Sequence, residues 1–195
     1  MVKVIELETS RLKLRQWRRE DRPLFAKLNA DSTVMEFFPS ILDEKESNEM
    51  VNKIQSLISK RGWGFWAVEK KDKGQFIGFT GLHVPTAKLP FSPCVEIGWR
   101  LAKEFWGKGY ATEAANAALN LAFEQLKISE VYSFASVGNL KSIALMERLQ
   151  MVNTHKNFDH PSIPKGHSLK EHVLYKLPRE QWKKSYNNTL QGTSE

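Results

Sequence analysis

The stretch FWGKGYATEA, residues 105–114, sets two glycines around a lysine directly before an alanine-rich run with no helix breaker. That spacing suits an anion seat. A helix N-terminus leaves several backbone N–H groups unpaired and carries partial positive charge from the aligned peptide dipoles. Gly107 and Gly109 let the backbone approach a ligand closely and reach φ values other residues resist. Lys108 adds a point charge, and the small Ala111 keeps the first turn open. The chemistry this implies is phosphate or pyrophosphate binding; the plainer reading is a tight turn into a surface helix. Two other phosphate motifs do not fit. A P-loop needs G-x-x-x-x-G-K-S/T, which Gly107-Lys108-Gly109 does not supply. A dinucleotide fingerprint would put Gly or Ala where Thr112 stands.

A second candidate lies just upstream, in CVEIGWRL (94–101). Strand alternation puts Val95, Ile97, Trp99 and Leu101 on one face and Cys94, Glu96, Gly98 and Arg100 on the other. A carboxylate in such a strand is costly unless hydrated or paired. Glu96 therefore implies either a wet cleft or a salt bridge, with Arg100 or Lys103 as partner. The single cysteine, Cys94, excludes an internal disulfide, and without a histidine in motif context it reads as a small buried residue. His83, His155, His160, His167 and His172 show no ligand spacing, so no metal is expected.

The elements that must position these residues follow from pattern. At 195 residues the chain fits one domain with a real core, expected over 1–183 with a flexible tail at 184–195. Its 41% hydrophobic and 26% charged residues make it globular, not disordered. No apolar run approaches the roughly 18 residues of a membrane span, and the N-terminus lacks a secretory apolar core. With one cysteine, a reducing cytoplasm is the expected compartment. A net charge of +7 favours acidic partners: nucleic acid, an acidic surface or a polyanionic cofactor. The excess is spread along the chain and densest at RLKLRQWRREDR (11–22), which alternates like a strand with a solvated face, so nucleic acid is the lesser choice.

RLKLRQW reads as a strand with Leu12 and Leu14 inward, and EDRPLFAKLN as a short helix with Pro23 in its first turn. DEKESNEMVNKIQSLISKRG reads as a helix. Asp43 and Glu46 form its capping box, Val51, Ile54, Leu57 and Ile58 its stripe, and Gly62 its end. GFWAVEK (64–70) and QFIGFTGLHV (75–84) form a hairpin through KDKG; PTAKLPFSP (85–93) is a loop before the strand at 94–101. The glycine turn opens a helix to about Leu126, EVYSFAS (130–136) is a strand, GNLKSIALMERLQ (138–150) a helix capped by Asn139, and EHVLYKL (171–177) a last strand. PREQWKKSYNNTLQGTSE then forms a short helix and frayed end. This pattern is α+β with a mixed sheet.

CVEIGWRLAKEFWGKGYATEA resembles the acetyl-CoA-binding core of the GNAT superfamily of N-acyltransferases. The superfamily's phosphate loop, Q/R-x-x-G-x-G/A, maps onto Trp106, Gly109 and Ala111, with Trp106 at the usual Gln or Arg position. That departure, the opening LETSRLKLRQWRREDRPLFAKLNADSTVMEFFP, and GNLKSIALMERLQM with its N-x-x-S pattern resemble the branch of ribosomal-protein N-terminal (Rim-type) acetyltransferases, although Gln150 stands where glycine is usual. The likeness runs from about Glu6 to Trp182.

The resemblance implies a mixed, mostly antiparallel sheet with splayed central strands flanked by helices, and acetyl-CoA as co-substrate. The backbone at Ile97, Trp99 and Leu101 would bond the pantetheine arm. Trp106, Gly107, Lys108, Gly109, Tyr110, Ala111 and Thr112 would hold the diphosphate, and Asn139 would contact the arm. Acetyl transfer to an amine then needs a base, a polarised carbonyl and a leaving thiolate. Glu96 is the candidate base and Ser142 a donor to the thioester or sulfur. The tyrosine acid of many relatives would fall at Met146 and is absent. His172 and Tyr175 are secondary candidates, with a structural histidine the plainer reading, and Phe37, Phe38 and Trp63 candidate acceptor-side walls. The acceptor would be a protein N-terminus or a small amine, and the protein a monomer or homodimer. The rival reading is a non-catalytic acyl-CoA-binding sensor or interaction module, and a third is a basic RNA-binding protein.

Overall fold

The computed structural model describes residues 2–183, so the tail expected at 184–195 lies outside the described residues. Two compact units form. One holds the chain up to His83 together with Ile97–Ala118; the other holds Val84–Glu96 and the chain from Leu119.

In the first unit, β1 (Leu7–Glu8), β2 (Leu12–Arg15), β3 (Phe65–Lys70) and β4 (Gln75–His83) form successive antiparallel pairs, and β5 (Glu96–Leu101) follows β4. The KDKG hairpin forms as expected. Leu12 and Leu14 point inward with no exposure. The core they join is aromatic: Trp17 lies edge-on to Phe25 at 4.9 Å and donates its indole N–H to the Phe65 carbonyl at 2.8 Å.

Helix α1 spans Asp21–Ala30 and α2 spans Glu44–Arg61. The capping box forms at α2: Glu46 N–H donates to Asp43 and Asp43 N–H to Glu46, while Gly62 closes the helix at φ 82°. The basic stretch 11–22 is not simply a solvated face. Arg15 is 2% exposed, forks onto Asp21 at 2.7 and 2.9 Å and donates to Glu69 at 2.7 Å. Burial lowers its basicity, but those acceptors outweigh burial and hold the guanidinium charged.

The glycine turn leads into α3 (Tyr110–Asn120), which buries Ala115, Ala118 and Leu119. The predicted continuation to Leu126 is a π-turn, Leu121–Gln125, closed by Leu126 N–H on the Leu121 carbonyl at 3.0 Å.

In the second unit, β6 (Glu130–Ser136) and β9 (Glu171–Pro178) pair antiparallel over seven positions. Two short strands, β7 (Val152–Asn153) and β8 (Phe158–Asp159), add to β9, and β6 meets Glu96 in parallel, opposite Tyr132. The sheet pairing is therefore mixed and mostly antiparallel, as the α+β reading requires. Residues 179–183 are helical, within the span of the expected last helix. No helix among the described residues is long and apolar enough to cross a membrane.

Helix α4 (Leu140–Arg148) is capped as expected: Asn139 Oδ1 accepts from Ser142 N–H at 3.1 Å. Just past its end Gln150 adopts φ 59°, the left-handed conformation that glycine takes at helix ends. A non-glycine residue pays steric strain there of roughly 1–2 kcal/mol. Gln150 is exposed, and its carbonyl accepts from Gln181, a bond any residue at 150 would keep. Gln150→Gly should therefore raise stability by about 1 kcal/mol, read as a higher urea midpoint at unchanged slope. A lower midpoint would show that the glutamine side chain is needed.

Candidate active site

The glycine turn has the conformation its sequence demands. Gly107 and Gly109 sit at φ 71° and 77°, in the left-handed region. A Cβ on Gly107 would meet nothing within 4 Å, and one on Gly109 only the Arg11 Nη2, at 3.4 Å. Backbone and not crowding therefore selects glycine, and the space over the turn is open. The first helical bond of α3 runs from Glu113 N–H to the Gly109 carbonyl at 3.0 Å. The N–H groups of Tyr110, Ala111 and Thr112 thus precede any partner inside the helix. Open space, exposed backbone and helix polarity fit a diphosphate.

The turn is anchored by residues that sequence reasoning missed. Glu113 accepts from Thr9 Oγ1 (2.6 Å), Ser10 Oγ (3.1 Å), Arg11 N–H (2.9 Å) and Arg11 Nε (2.6 Å). Burial pushes the Glu113 pKa upward, but the bonds from Thr9, Arg11 and Ser10 win, leaving it below the ordinary carboxylate value. Arg11 also donates to the Lys108 carbonyl at 3.0 Å and lies 4.6 Å from the centre of the Tyr110 ring. Lys108 itself donates to the Glu104 carbonyl at 2.7 Å. Trp106 donates its indole N–H to the Leu101 carbonyl at 2.8 Å, tying the turn to the end of β5. No local pattern pairs residue 11 with residue 113, so only the anion-seat motif itself was legible.

Along β5, Ile97 and Leu101 are buried and Trp99 half-buried. The β4 side is bonded through Ala102 N–H to the Ile77 carbonyl. Gly98 faces the Phe65 ring, 3.2 Å from where a Cβ would stand. The salt bridge considered for Glu96 does not form: among the described residues Glu96 has no ion pair, and Arg100 turns to Asn29 at 2.6 Å. Arg100 is therefore a buried cation on a face expected to be wet. Phe38 covers its guanidinium at 4.0 Å, Trp63 lies 5.7 Å from Arg61, and Phe37 is half-buried. His83 stacks on Phe65; burial, then Arg61 and Lys53, push its pKa down to about 4, so the ring is neutral.

In the second unit, burial pushes the Glu96 carboxyl up to about 7. Cys94 packs with Leu89, Phe158 and Leu174, and burial followed by the Glu96 charge pushes its thiol up to about 11, which removes it as a nucleophile. Burial and then Glu130, which accepts from the phenol at 2.5 Å, push Tyr132 up to about 12. His172 packs with Phe134, Phe158 and His160, its pKa lowered by burial; it behaves as a structural histidine. Tyr175 is buried and donates to Glu147 at 3.2 Å. At α4, Asn139 uses Oδ1 as the cap, which leaves Nδ2 to other acceptors, and Ser142 is half-buried. Met146 is fully buried in the helix face.

Comparison with known proteins agrees with this geometry. The family model described as Acetyltransferase (GNAT) domain matches residues 11–152. The FsC-acetyl coenzyme A-N(2)-transacetylase of Aspergillus fumigatus is 31% identical over 183 residues, covering 90% of this chain and 77% of that protein. A GNAT-family acetyltransferase from Bacillus anthracis shares the fold, with TM-score 0.75 at 24% identity over 90% of this chain and 99% of its own. So does a RimL ribosomal-protein alpha-N-acetyltransferase solved with coenzyme A, with TM-score 0.71 at 16% identity over 91% of this chain and 99% of its own. A family match through the glycine turn, β5 and α4, on a chain with the same fold, makes this protein a member of the GNAT family of acetyltransferases.

Proposed function

We propose that this protein is an acetyl-CoA-dependent N-acetyltransferase acting on a primary amine, a protein N-terminus or a small amine, by direct attack in a ternary complex. The observation that carries the reading is Glu96. Burial raises its carboxyl to about 7, where a general base works best near neutral pH. Acetyl-CoA, when bound, supplies the activated acetyl thioester. The names of the Aspergillus transacetylase and of the RimL protein solved with coenzyme A support that donor.

The residues divide the work. The turn from Trp106 to Thr112 binds diphosphate through its backbone, with Arg11 and Glu113 holding its shape. The backbone of Ile97, Trp99 and Leu101 offers a strand edge to the pantetheine arm. Glu96 takes the proton from the attacking amine, directly or through water. Asn139 donates through Nδ2, and the Ser142 hydroxyl donates toward the thioester. Met146 stands where many relatives carry a tyrosine acid, so the thiolate takes its proton from water or from another group. A coenzyme A thiol, whose acidity is like that of cysteine, leaves as thiolate without that tyrosine.

The test is acetyl-CoA turnover, followed by released thiol, across N-terminal peptides and small amines. Acetylated product from at least one acceptor, with a pH limb near 7, is expected. Tight acetyl-CoA binding without turnover on any acceptor would overturn the catalytic reading in favour of a binder.

A further inference from the structure

Arg100 is 8% exposed, and it forms no ion pair among the described residues. A buried cation without a counter-ion is costly, and proteins ordinarily pair it. Its Nη1 donates to Asn29 Oδ1 at 2.6 Å. Asn29 is itself fully buried and held in place, its Nδ2 donating to Ser47 Oγ at 3.1 Å and its carbonyl accepting from Leu42. The guanidinium is thus fixed at one nitrogen. Among the described residues the other edge has no hydrogen-bond partner: Nε is buried without one, and the guanidinium bonds through Nη1 to Asn29. Nε–H and the adjacent Nη2–H point the same way, in the planar fork that matches the two oxygens of a carboxylate.

Aromatic rings and not acids surround the guanidinium. Phe79 lies 5.5 Å from the guanidinium carbon and Phe38 4.0 Å. Phe38 is 37% exposed, so the ring that covers the cation is also the one at the surface. Burial brings the Arg100 pKa down to about 10, which still leaves it charged at neutral pH. The diphosphate seat at 107–112 is a separate structure built from backbone, so a second anion-recognising group points to the other substrate.

We infer that the Nε–Nη2 edge of Arg100 recognises a carboxylate carried by the amine acceptor, with Asn29 orienting the guanidinium and Phe38 covering it. This rests on the acetyltransferase reading and narrows it: neutral amines and polyamines are the poorer acceptors. The carboxylate is either the terminal group of a small amino acid or peptide, or an acidic side chain beside a protein N-terminus.

Two measurements on the whole protein test this. In turnover, glycylglycine is compared with glycylglycinamide, and C-terminally amidated peptides beginning Ser-Glu with those beginning Ser-Gln. One pair should show a preference of about tenfold or more in kcat/KM for its carboxylate member. That pair identifies the source: the dipeptide a terminal carboxylate, the peptide an acidic side chain. In Arg100→Gln the ratio should fall to about one, and Arg100→Lys should restore only part of it; Phe38→Ala, outside the hydrogen-bonded core, serves if those variants do not fold. The second measurement needs no turnover. The 15N resonance of Arg100 Nε–H, assigned through Arg100→Lys, is followed during titration with acetylglycylglycine, with the amidated acetyl Ser-Glu peptide, and with the neutral counterpart of each.

A saturable shift from a carboxylate probe alone is expected. No shift from either carboxylate probe, a shift from coenzyme A by itself, or equal turnover of both members in both pairs would overturn the assignment. A carboxylate-specific shift in a protein with no turnover would keep the Arg100 site and defeat the transferase reading instead.

Discussion

Glu96→Gln should lower kcat by about 10²–10⁴-fold, the usual worth of a positioned general base, while leaving acetyl-CoA affinity close to wild type. The substitution keeps the shape of the side chain and removes only its ability to take a proton. In the wild type, kcat/KM should rise with pH through about 7 and level off, because the base works as the carboxylate. The variant should lack that limb. An unchanged pH profile would remove Glu96 as the base.

The same substitution has a stability signature of defined sign. A carboxyl with a folded pKa near 7, against an ordinary 4.5, binds its proton more tightly folded than unfolded. The stability linked to that proton is fully present below about 4.5 and is lost as pH rises through 7. Glu96→Gln should therefore raise the melting temperature at pH 8 and change it little at pH 4, where the wild-type carboxyl is already neutral. Equal melting temperatures at pH 8 would mean that the carboxylate is better solvated than its burial indicates.

Gly109→Asp should weaken acetyl-CoA binding by about 100-fold, measured by calorimetry. The backbone at φ 77° strains any L residue by roughly 1–2 kcal/mol, so the turn would distort. An aspartate here would set its Cβ 3.4 Å from Arg11 Nη2, so its carboxylate would compete with Glu113 for that guanidinium and loosen the clamp on the Lys108 carbonyl. Like charges brought together cost several kcal/mol, and about 2.7 kcal/mol is already 100-fold. Wild-type affinity in a cooperatively folding variant would remove the glycine turn from the donor site.

How much of this was legible beforehand differs from residue to residue. The hairpin at KDKG, the capping box of Asp43 and Glu46, the Asn139 cap and the left-handed glycines at 107 and 109 all follow from neighbours a few residues apart, and all form. The strands β1, β7 and β8 did not announce themselves. Two residues carry no periodicity, and such strands exist only because β2 or β9 offers an edge to pair with. Gln150 looked like a missing glycine; the structure shows the backbone conformation kept and the strain accepted.

The sequence by itself determined the α+β class, the helices and their caps, the place of the left-handed glycine turn, and a carboxylate on the strand before it. Each is encoded by hydrogen bonds and side-chain alternation within about one helical turn or one strand. Only the tertiary structure decided which partners and how much burial those residues have. Glu113 reaches Arg11 across 102 positions to brace the turn. Arg100, a partner for Glu96 on paper, instead turns to Asn29, 71 positions away, and its Nε has no hydrogen bond among the described residues. Glu96 forms no ion pair among the described residues, and burial pushes its carboxyl up to about 7. Charge state and partnership depend on burial, and burial is a property of where distant segments return, which no local pattern contains.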